Sequence, residues 1–229
     1  MPIAFILYLA APNTAFRSAA IPQLKEQFPG EWGQIWRSTR DWQSRLAPSR
    51  PRHSAMVNIL MRQMEWNCAF YRALKDHGLS HDEAGALVET VGSDVYRPMA
   101  ATWYKFSRLR SAKHDVRVKW LFRLMTRYFF SPPFVHQHLP PETGEVVAFN
   151  VTRCPLADYF KDQGVPELTP YAACRLDYAA ERVYGVDLVR TQTIADGAEY
   201  CDFRWKFPAS GGGSMPNSPS SLEGQKSPS

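Results

Sequence analysis

The sequence predicts an α+β protein in which an N-terminal helical region is followed by a small, mostly antiparallel sheet packed with helices. Apolar residues recur at three- and four-residue spacing between residues 53 and 130, which is typical of amphipathic helices. After residue 131 the pattern changes to short runs rich in β-branched residues, separated by turn signals. Helices that precede strands along the chain favour the α+β class over an alternating α/β architecture.

The composition is that of a folded chain. It has 229 residues, of which 45% are hydrophobic and 13% are aromatic. A chain of this size can bury one sizeable core, and its aromatic content is too high for a disordered protein.

Residues 1–52 are predicted to form an irregular helical segment. The apolar run Ile3–Ala11 has no basic residue before it, unlike a signal peptide, and it is too short to cross a bilayer. We therefore expect it to be a helix or strand of the fold. From Pro12 to Pro51 we expect short helices joined by turns that prolines bound.

Two helices are predicted next. The first runs from His53 to His77 and is stopped by Gly78. Ser80 and Glu83 have the spacing of a capping box, so a second helix begins there. We expect it to be interrupted at Pro98 and to restart after that residue, running through Phe106.

A third helix is predicted from about Lys113 to Phe130. Lys119, Arg123 and Arg127 follow one another at four-residue spacing and therefore share one edge of it. That edge is either a solvated basic surface or a rim that attracts anions to a nearby site.

The second half of the domain contains the predicted strands. Strands are expected at 145–152, 186–194 and 200–207, and helices at 155–163 and 168–184. The pair Asp196-Gly197 is a hairpin signal between the last two strands. We assign residues 53–208 to one α+β domain. Residues 209–229, rich in Gly, Ser and Pro, are predicted to be a disordered tail.

Charge and cysteine content limit the partners and the compartment. The formal net charge of +5 favours anionic small molecules and does not indicate a nucleic-acid binder. Four cysteines in a chain of this length are too sparse for a secreted disulfide scaffold, which predicts reduced thiols and a cytoplasmic protein. We expect a small-molecule ligand, no nucleic acid and no membrane, and we leave a homo-oligomer open.

Chemistry-bearing residues cluster in the last third of the chain. Phosphate loops, HExxH, paired CxxC and nucleophile elbows are all absent. Cys174 and Asp177 are three residues apart on a predicted helix and share a face. Cys154 lies where the first strand ends, and Cys201 shares one strand face with Phe203. Three thiols from three elements are thus predicted to converge on one pocket.

Three interpretations of these thiols are open. They can be buried small hydrophobic residues, which is common for free cysteine. They can hold a metal, with Asp177 or water as a fourth ligand, although the wide spacing lacks the close pair usual in zinc sites. One of them can be a nucleophile, since Arg153 beside Cys154, or Arg175 beside Cys174, would favour a thiolate. We predict no cofactor, with zinc as the alternative.

This part of the chain contains four distinctive runs, namely VTRCP at 151–155, CRLD at 174–177, RTQTIADG at 190–197 and CDFR at 201–204. On these runs, the chain resembles the L-2-amino-thiazoline-4-carboxylic acid hydrolase family. The resemblance covers roughly residues 50–207 and is most specific in the last sixty. The resemblance implies hydrolytic opening of a cyclic isothiourea, 2-amino-thiazoline-4-carboxylate, to N-carbamoyl-cysteine.

That reaction needs a nucleophile or activated water, a proton shuttle and a cation for the substrate carboxylate. Our candidate catalytic residues are Cys174, as the first-choice nucleophile, with Asp177, Cys154 and Cys201. The candidate substrate-binding residues are Arg153, Arg175 and Arg204. The six histidines lie outside the family-like runs and are expected to be surface or loop residues.

A second, weaker resemblance is to small-molecule-binding domains of the 4-vinyl-reductase type. It rests on a glycine, a cysteine and an aromatic residue on the terminal hairpin. It implies that the chain binds a small molecule without turning it over.

Overall fold

The structure, a computed structural model, describes residues 12–49 and 53–208. The predicted element at 3–11 and the predicted tail at 209–229 lie outside these residues, as does the end of the proposed N-terminal segment. The α+β class is confirmed, because helices precede a four-stranded antiparallel sheet and pack against it.

Seven α-helices and four strands occur in the described residues. The helices are α1 (Pro12–Gln27), α2 (Trp32–Leu46), α3 (Ala55–Asp76), α4 (His81–Phe106), α5 (His114–Tyr128), α6 (Pro155–Asp162) and α7 (Leu176–Tyr184). The strands are β1 (Val135–Leu139), β2 (Glu145–Arg153), β3 (Asp187–Val189) and β4 (Cys201–Lys206). The strand order is β1-β2-β4-β3, so β2 and β4 form the centre of the sheet.

The N-terminal helices share the hydrophobic core of the rest of the chain. Phe16 of α1 stacks on Trp66 of α3 with ring centroids 5.4 Å apart, and Trp36 of α2 stacks on the same indole at 5.8 Å. The expectation of short helices bounded by prolines is wrong for α1, which contains Pro22 in its interior. Burial of its apolar side offsets the one backbone hydrogen bond that a proline cannot make.

Helices α3 and α4 begin and end close to the predicted positions. The capping box is confirmed, since the Ser80 hydroxyl accepts from the Glu83 N–H and the Glu83 carboxylate accepts from the Ser80 N–H. The predicted break at Pro98 is wrong, because α4 is continuous through that residue. Val95 and Met99, on either side of the proline, are both buried, and this apolar face holds the helix together.

The sheet differs from the prediction at both edges. Strand β1 was not predicted, because its sequence VHQHL is short and largely polar, as an edge strand is. The predicted strand 186–194 ends at Val189. Beyond it, the carboxylate of Asp202 accepts the N–H groups of Thr191 and Gln192, which draws the chain out of the sheet.

The predicted helix 168–184 is divided. A short π-helical turn, Pro170–Cys174, precedes α7, and the Arg175 N–H donates to the Pro170 carbonyl at 2.9 Å. Wide turns of this kind occur preferentially at functional sites. Here the turn fixes the position of Cys174. At the other end, α7 stops at Gly185, which has a φ of 62°, as predicted.

Two glycines allow α4 to approach the π-helical turn and α7. A Cβ atom added at Gly85 would lie 2.8 Å from the Tyr171 ring, and one at Gly92 would lie 3.1 Å from Leu176.

No helix in the described part of the chain is both long and apolar enough to cross a membrane.

We expect Gly85→Ala to lower the free energy of unfolding by about 1–3 kcal/mol, because the new methyl group overpacks the Tyr171 ring. The reduction would be measured by urea denaturation. Gly33→Ala on α2 is the matched control, since its nearest neighbour is the end of the flexible Arg37 side chain at 3.8 Å. An equal or greater stability for Gly85→Ala would contradict the close contact.

Candidate active site

A cavity of about 230 Å³ lies between the central strands and the helices that cover one face of the sheet. Strands β2 and β4 contribute Val151, Cys201 and Phe203 to its wall. Helices α3, α4, α5 and α7 supply most of the remainder, which is largely aliphatic, aromatic and methionine side chains. The volume is below the 300–1,000 Å³ that is typical of drug-sized ligands, so it suits a small molecule.

Three of the four cysteines line this cavity. Cys154 lies between the end of β2 and the start of α6, Cys174 ends the π-helical turn, and Cys201 begins β4. The predicted convergence of three thiols on one pocket is therefore what the fold gives. Cys68 is fully buried and is not part of the cavity wall.

A buried ion pair stands beside the thiols. The Arg190 guanidinium donates to the Asp177 carboxylate at 2.8 Å and to the Cys174 carbonyl at 2.8 Å. Its side chain is 3% exposed and lies near the rings of Tyr178 and Phe203, at 5.3 and 5.2 Å from their centroids. Arg190 thus ties the loop after β3 to α7 and to the π-helical turn.

Asp177 is deep in the protein and yet accessible from the cavity. About 28% of its side-chain surface is open, and the residue is part of the cavity wall. Burial raises the pKa of the Asp177 carboxyl, and the Arg190 guanidinium opposes that rise without cancelling it. A carboxyl group in this position can accept and return a proton nearer to neutral pH than an exposed aspartate.

Burial favours the protonated form of the three thiols. It raises the pKa of Cys154 to about 12, although the N–H groups of Ala157 and Leu156 at the start of α6 favour the thiolate. The Cys154 side chain makes no capping hydrogen bond to α6. Burial also raises the pKa of Cys174, and the Asp177 carboxylate adds to the rise. The pKa of Cys201 is raised by burial and lowered by its hydrogen bond from the Ile194 N–H at 3.2 Å.

Asp202 holds the loop that carries Arg190. Its carboxylate accepts from the Thr191 N–H and hydroxyl and from the Gln192 N–H, at 2.8–3.1 Å. Burial opposes ionisation of Asp202, but these donors outweigh it and lower the pKa. Asp202 and Arg204 lie on the strand face opposite to Cys201, as the alternation along β4 predicts.

A second brace comes from α3. The buried Asn67 amide donates to the Ala172 carbonyl in the π-helical turn at 3.2 Å. Gln63, which lines the cavity, donates to the Asn67 side-chain oxygen at 3.0 Å. These two amides fix the backbone just before Cys174.

The three arginines predicted to bind substrate lie outside the cavity wall. Arg153 is 61% exposed and donates to Asp158 at 3.0 Å, while Arg175 donates to Glu89 at 3.0 Å. Arg204 donates to the Phe149 and Phe203 carbonyls and to Asn150.

These contacts give no support to the hypothesis that Arg153 or Arg175 favours a thiolate in the neighbouring cysteine, because each guanidinium hydrogen-bonds to a carboxylate elsewhere. Arg190 is the arginine that the sequence reasoning missed. The available signal was its position at the head of the family-like run 190–197.

Two further predictions concern a zinc site and the basic edge of α5. Among residues 12–49 and 53–208, no group of three or more His, Cys, Asp or Glu side chains is arranged to hold a metal ion. That geometry gives no support to the zinc alternative, and the expectation of no cofactor stays a prediction. Arg123 and Arg127 border a second hollow with His136 and His138, and none of the cysteines lines it.

The comparison with protein families agrees with the region that forms the cavity. A family model described as L-2-amino-thiazoline-4-carboxylic acid hydrolase matches residues 58–205. The match spans α3 to β4 and includes the three cavity cysteines, Asp177 and Arg190. No curated protein matches the chain. The match covers more than half of the chain, and the protein therefore belongs to the L-2-amino-thiazoline-4-carboxylic acid hydrolase family.

Proposed function

We propose that the protein is a hydrolase that opens a small cyclic amidine or isothiourea such as 2-amino-thiazoline-4-carboxylate, giving N-carbamoyl-cysteine. One observation carries this proposal. Within the family-matched region, three thiols and the Asp177–Arg190 pair meet in the wall of one cavity. A nucleophile, a proton shuttle and a cation are the groups that the reaction requires.

The reaction adds one molecule of water across a carbon–sulfur bond. The electrophile is C2 of the ring, which is bonded to two nitrogens and a sulfur. A cysteine thiolate attacks C2, the C2–S bond of the ring breaks, and the ring sulfur leaves and takes a proton. Water then attacks the same carbon and displaces the enzyme sulfur, which leaves a urea group on the product and regenerates the thiol.

The ion pair supplies the charges for binding and proton transfer. The substrate carboxylate pairs with Arg190, which presents a planar set of donors suited to a carboxylate. The protonated amidine or isothiourea group pairs with Asp177. Asp177 takes the proton of the attacking thiol and delivers it to the leaving sulfur, and its raised pKa suits both steps.

Between Cys154 and Cys174, we favour Cys154 as the nucleophile. Its sulfur lies near the N–H groups that open α6, and a helix N-terminus favours a thiolate. Cys174, the first choice from sequence, lies beside the Asp177 carboxylate, which disfavours a second negative charge. We therefore assign the attack to Cys154 ahead of Cys174, and Cys201, whose sulfur accepts from the Ile194 N–H, is the alternative nucleophile.

We expect Cys154→Ala to lower kcat by at least about 10³-fold, because the attacking atom is removed. The assay incubates the purified chain with 2-amino-thiazoline-4-carboxylate and follows the new thiol with a thiol reagent after removal of protein. Cys68→Ala is the matched control, since Cys68 is buried away from the cavity. Thermal melting would verify that each variant is folded.

The remaining single variants separate the mechanisms. Loss of turnover in Cys174→Ala, with Cys154→Ala active, would move the nucleophile to Cys174. Turnover that survives all three single changes at the cavity would exclude thiol chemistry.

A second prediction concerns pH. Because burial raises the pKa of Asp177 above the ordinary value of about 3.9, kcat/KM falls on the acid side as pH drops through that raised pKa. Asp177→Asn should abolish this acid limb and lower kcat by about 10²–10⁴-fold. Asp158→Asn, at the exposed partner of Arg153, is the control. An unchanged acid limb in Asp177→Asn would assign the titration to another group.

Ligand binding without turnover is the second candidate function. It is favoured by the raised pKa values of all three thiols, since a neutral thiol is a poor nucleophile. The same samples decide between the two. A rise in melting temperature on adding the aminothiazoline, with no thiol released, would support a binding protein.

A further inference from the structure

We propose that the natural ligand of this cavity is amphiphilic, with a polar head at the cysteine–Asp177–Arg190 end and an apolar body, aromatic or branched alkyl, in the remainder. The identity of the head rests on the proposed function, whereas the apolar body rests on the cavity wall alone. The ligand therefore differs from the bare 2-amino-thiazoline-4-carboxylate ring by an apolar substituent.

The charged side chains of the wall belong to one group. Asp177 and Arg190 are hydrogen-bonded to each other, and Arg190 also binds the carbonyl of Cys174. Helices α3, α4 and α5 contribute a mainly apolar surface, which includes Met64, Val95, Met99, Leu121, Leu124 and Met125. The polar atoms that these helices add to the wall are those of Gln63, Tyr96, Trp103 and Tyr128. A polar atom placed against the methionine and aliphatic part of this surface loses its hydrogen bonds to water and gains none.

The bare ring fits this division poorly. Its amino group, ring nitrogen and carboxylate leave only the ring sulfur and one methylene as apolar edges. All of its polar groups can be met at one end of the cavity, but nothing in the molecule then covers the apolar wall. An added hydrocarbon group would remove that wall from water and would improve binding about fourfold for each methylene buried.

The size of the cavity allows such a group. An apolar cavity of about 150 Å³ is enough to hold benzene. The cavity here has about 230 Å³, so it has room for an aromatic ring together with part of a polar head. Methionine side chains are flexible and polarizable, so Met64, Met99 and Met125 can adapt to the shape of the substituent.

The test uses two probes that share one head, 2-amino-thiazoline-4-carboxylate and its 5-phenyl derivative. Binding to the full chain is measured by titration calorimetry, and thiol release is followed in parallel. We expect the dissociation constant of the phenyl derivative to be at least tenfold lower. Equal affinities, or weaker binding of the phenyl derivative, would overturn the inference.

Two substitutions in the cavity wall test whether the tighter binding of the phenyl derivative depends on the apolar surface of α5. Met125→Gln places an amide in the α5 surface at nearly constant shape and should reduce the ratio of the two dissociation constants by at least threefold, while Met125→Leu should retain the ratio. Met125 is only half-buried, so both variants are expected to fold. Leu124→Asn, at the neighbouring half-buried position, repeats the test if Met125→Gln melts early. A ratio unchanged in the folded polar variant would also overturn the inference.

The two proposals fail separately. Preferential binding of the phenyl derivative with no release of thiol from either probe would reject the hydrolase and retain the amphiphilic ligand. Hydrolysis of the bare ring, with no preference for the phenyl derivative, would reject the amphiphilic ligand and retain the hydrolase.

Discussion

The buried ion pair of Arg190 and Asp177 is the interaction on which the geometry of the cavity depends. Removing a guanidinium from water is costly, and the pair is favourable only because every strong partner is in place. One nitrogen of Arg190 binds the Asp177 carboxylate, another binds the Cys174 carbonyl, and aromatic rings flank the guanidinium. Loss of either charge would leave the other buried and unpaired, at a cost of about 3–5 kcal/mol.

Two departures from regular secondary structure make this pair possible. The π-helical turn before α7 brings the Cys174 carbonyl and Asp177 to the same side of the helix start. On the other side, Asp202 takes the N–H groups of Thr191 and Gln192, so that β3 ends early and Arg190 turns inward. The amide of Asn67 braces the turn from α3. Backbone groups that leave a helix or a strand are thus re-bonded by buried side chains, as buried polar groups must be.

The sequence predicted what depends on local periodicity and failed where distant partners decide. Convergence of Cys154, Cys174 and Cys201 followed from the ends and faces of their elements, and the capping box at Ser80 needed only neighbours along the chain. Arg190 was missed as a site residue because its burial depends on Asp177, thirteen residues away, and on a strand that ends early. The predicted helix break at Pro98 is wrong for the opposite reason, because the packing of α4 outweighs the tendency of a proline to break a helix.

Arg153 and Arg175 are each next to a cavity cysteine in the sequence, but neither side chain lines the cavity. A residue next to a cysteine along an extended strand points to the opposite face, so Arg153 leaves the cavity that Cys154 borders. Arg175 lies between the π-helical turn and α7, and its side chain binds Glu89 and does not line the cavity. Sequence proximity to a thiol is therefore weak evidence of electrostatic contact with it.

Because the thiols of the free protein are neutral, the proposed reaction requires that a thiolate form when the ligand binds. In the free protein, burial and the Asp177 carboxylate both disfavour a thiolate in the cavity. A ligand whose head carries a positive charge pairs with Asp177 and places a cation near the sulfur. It therefore reverses the unfavourable effect of the Asp177 carboxylate on a thiolate. An apolar body on the same ligand excludes water and strengthens that attraction. Under the proposed function, the ligand itself therefore generates the nucleophile, and the thiols stay protonated and weakly reactive until it binds.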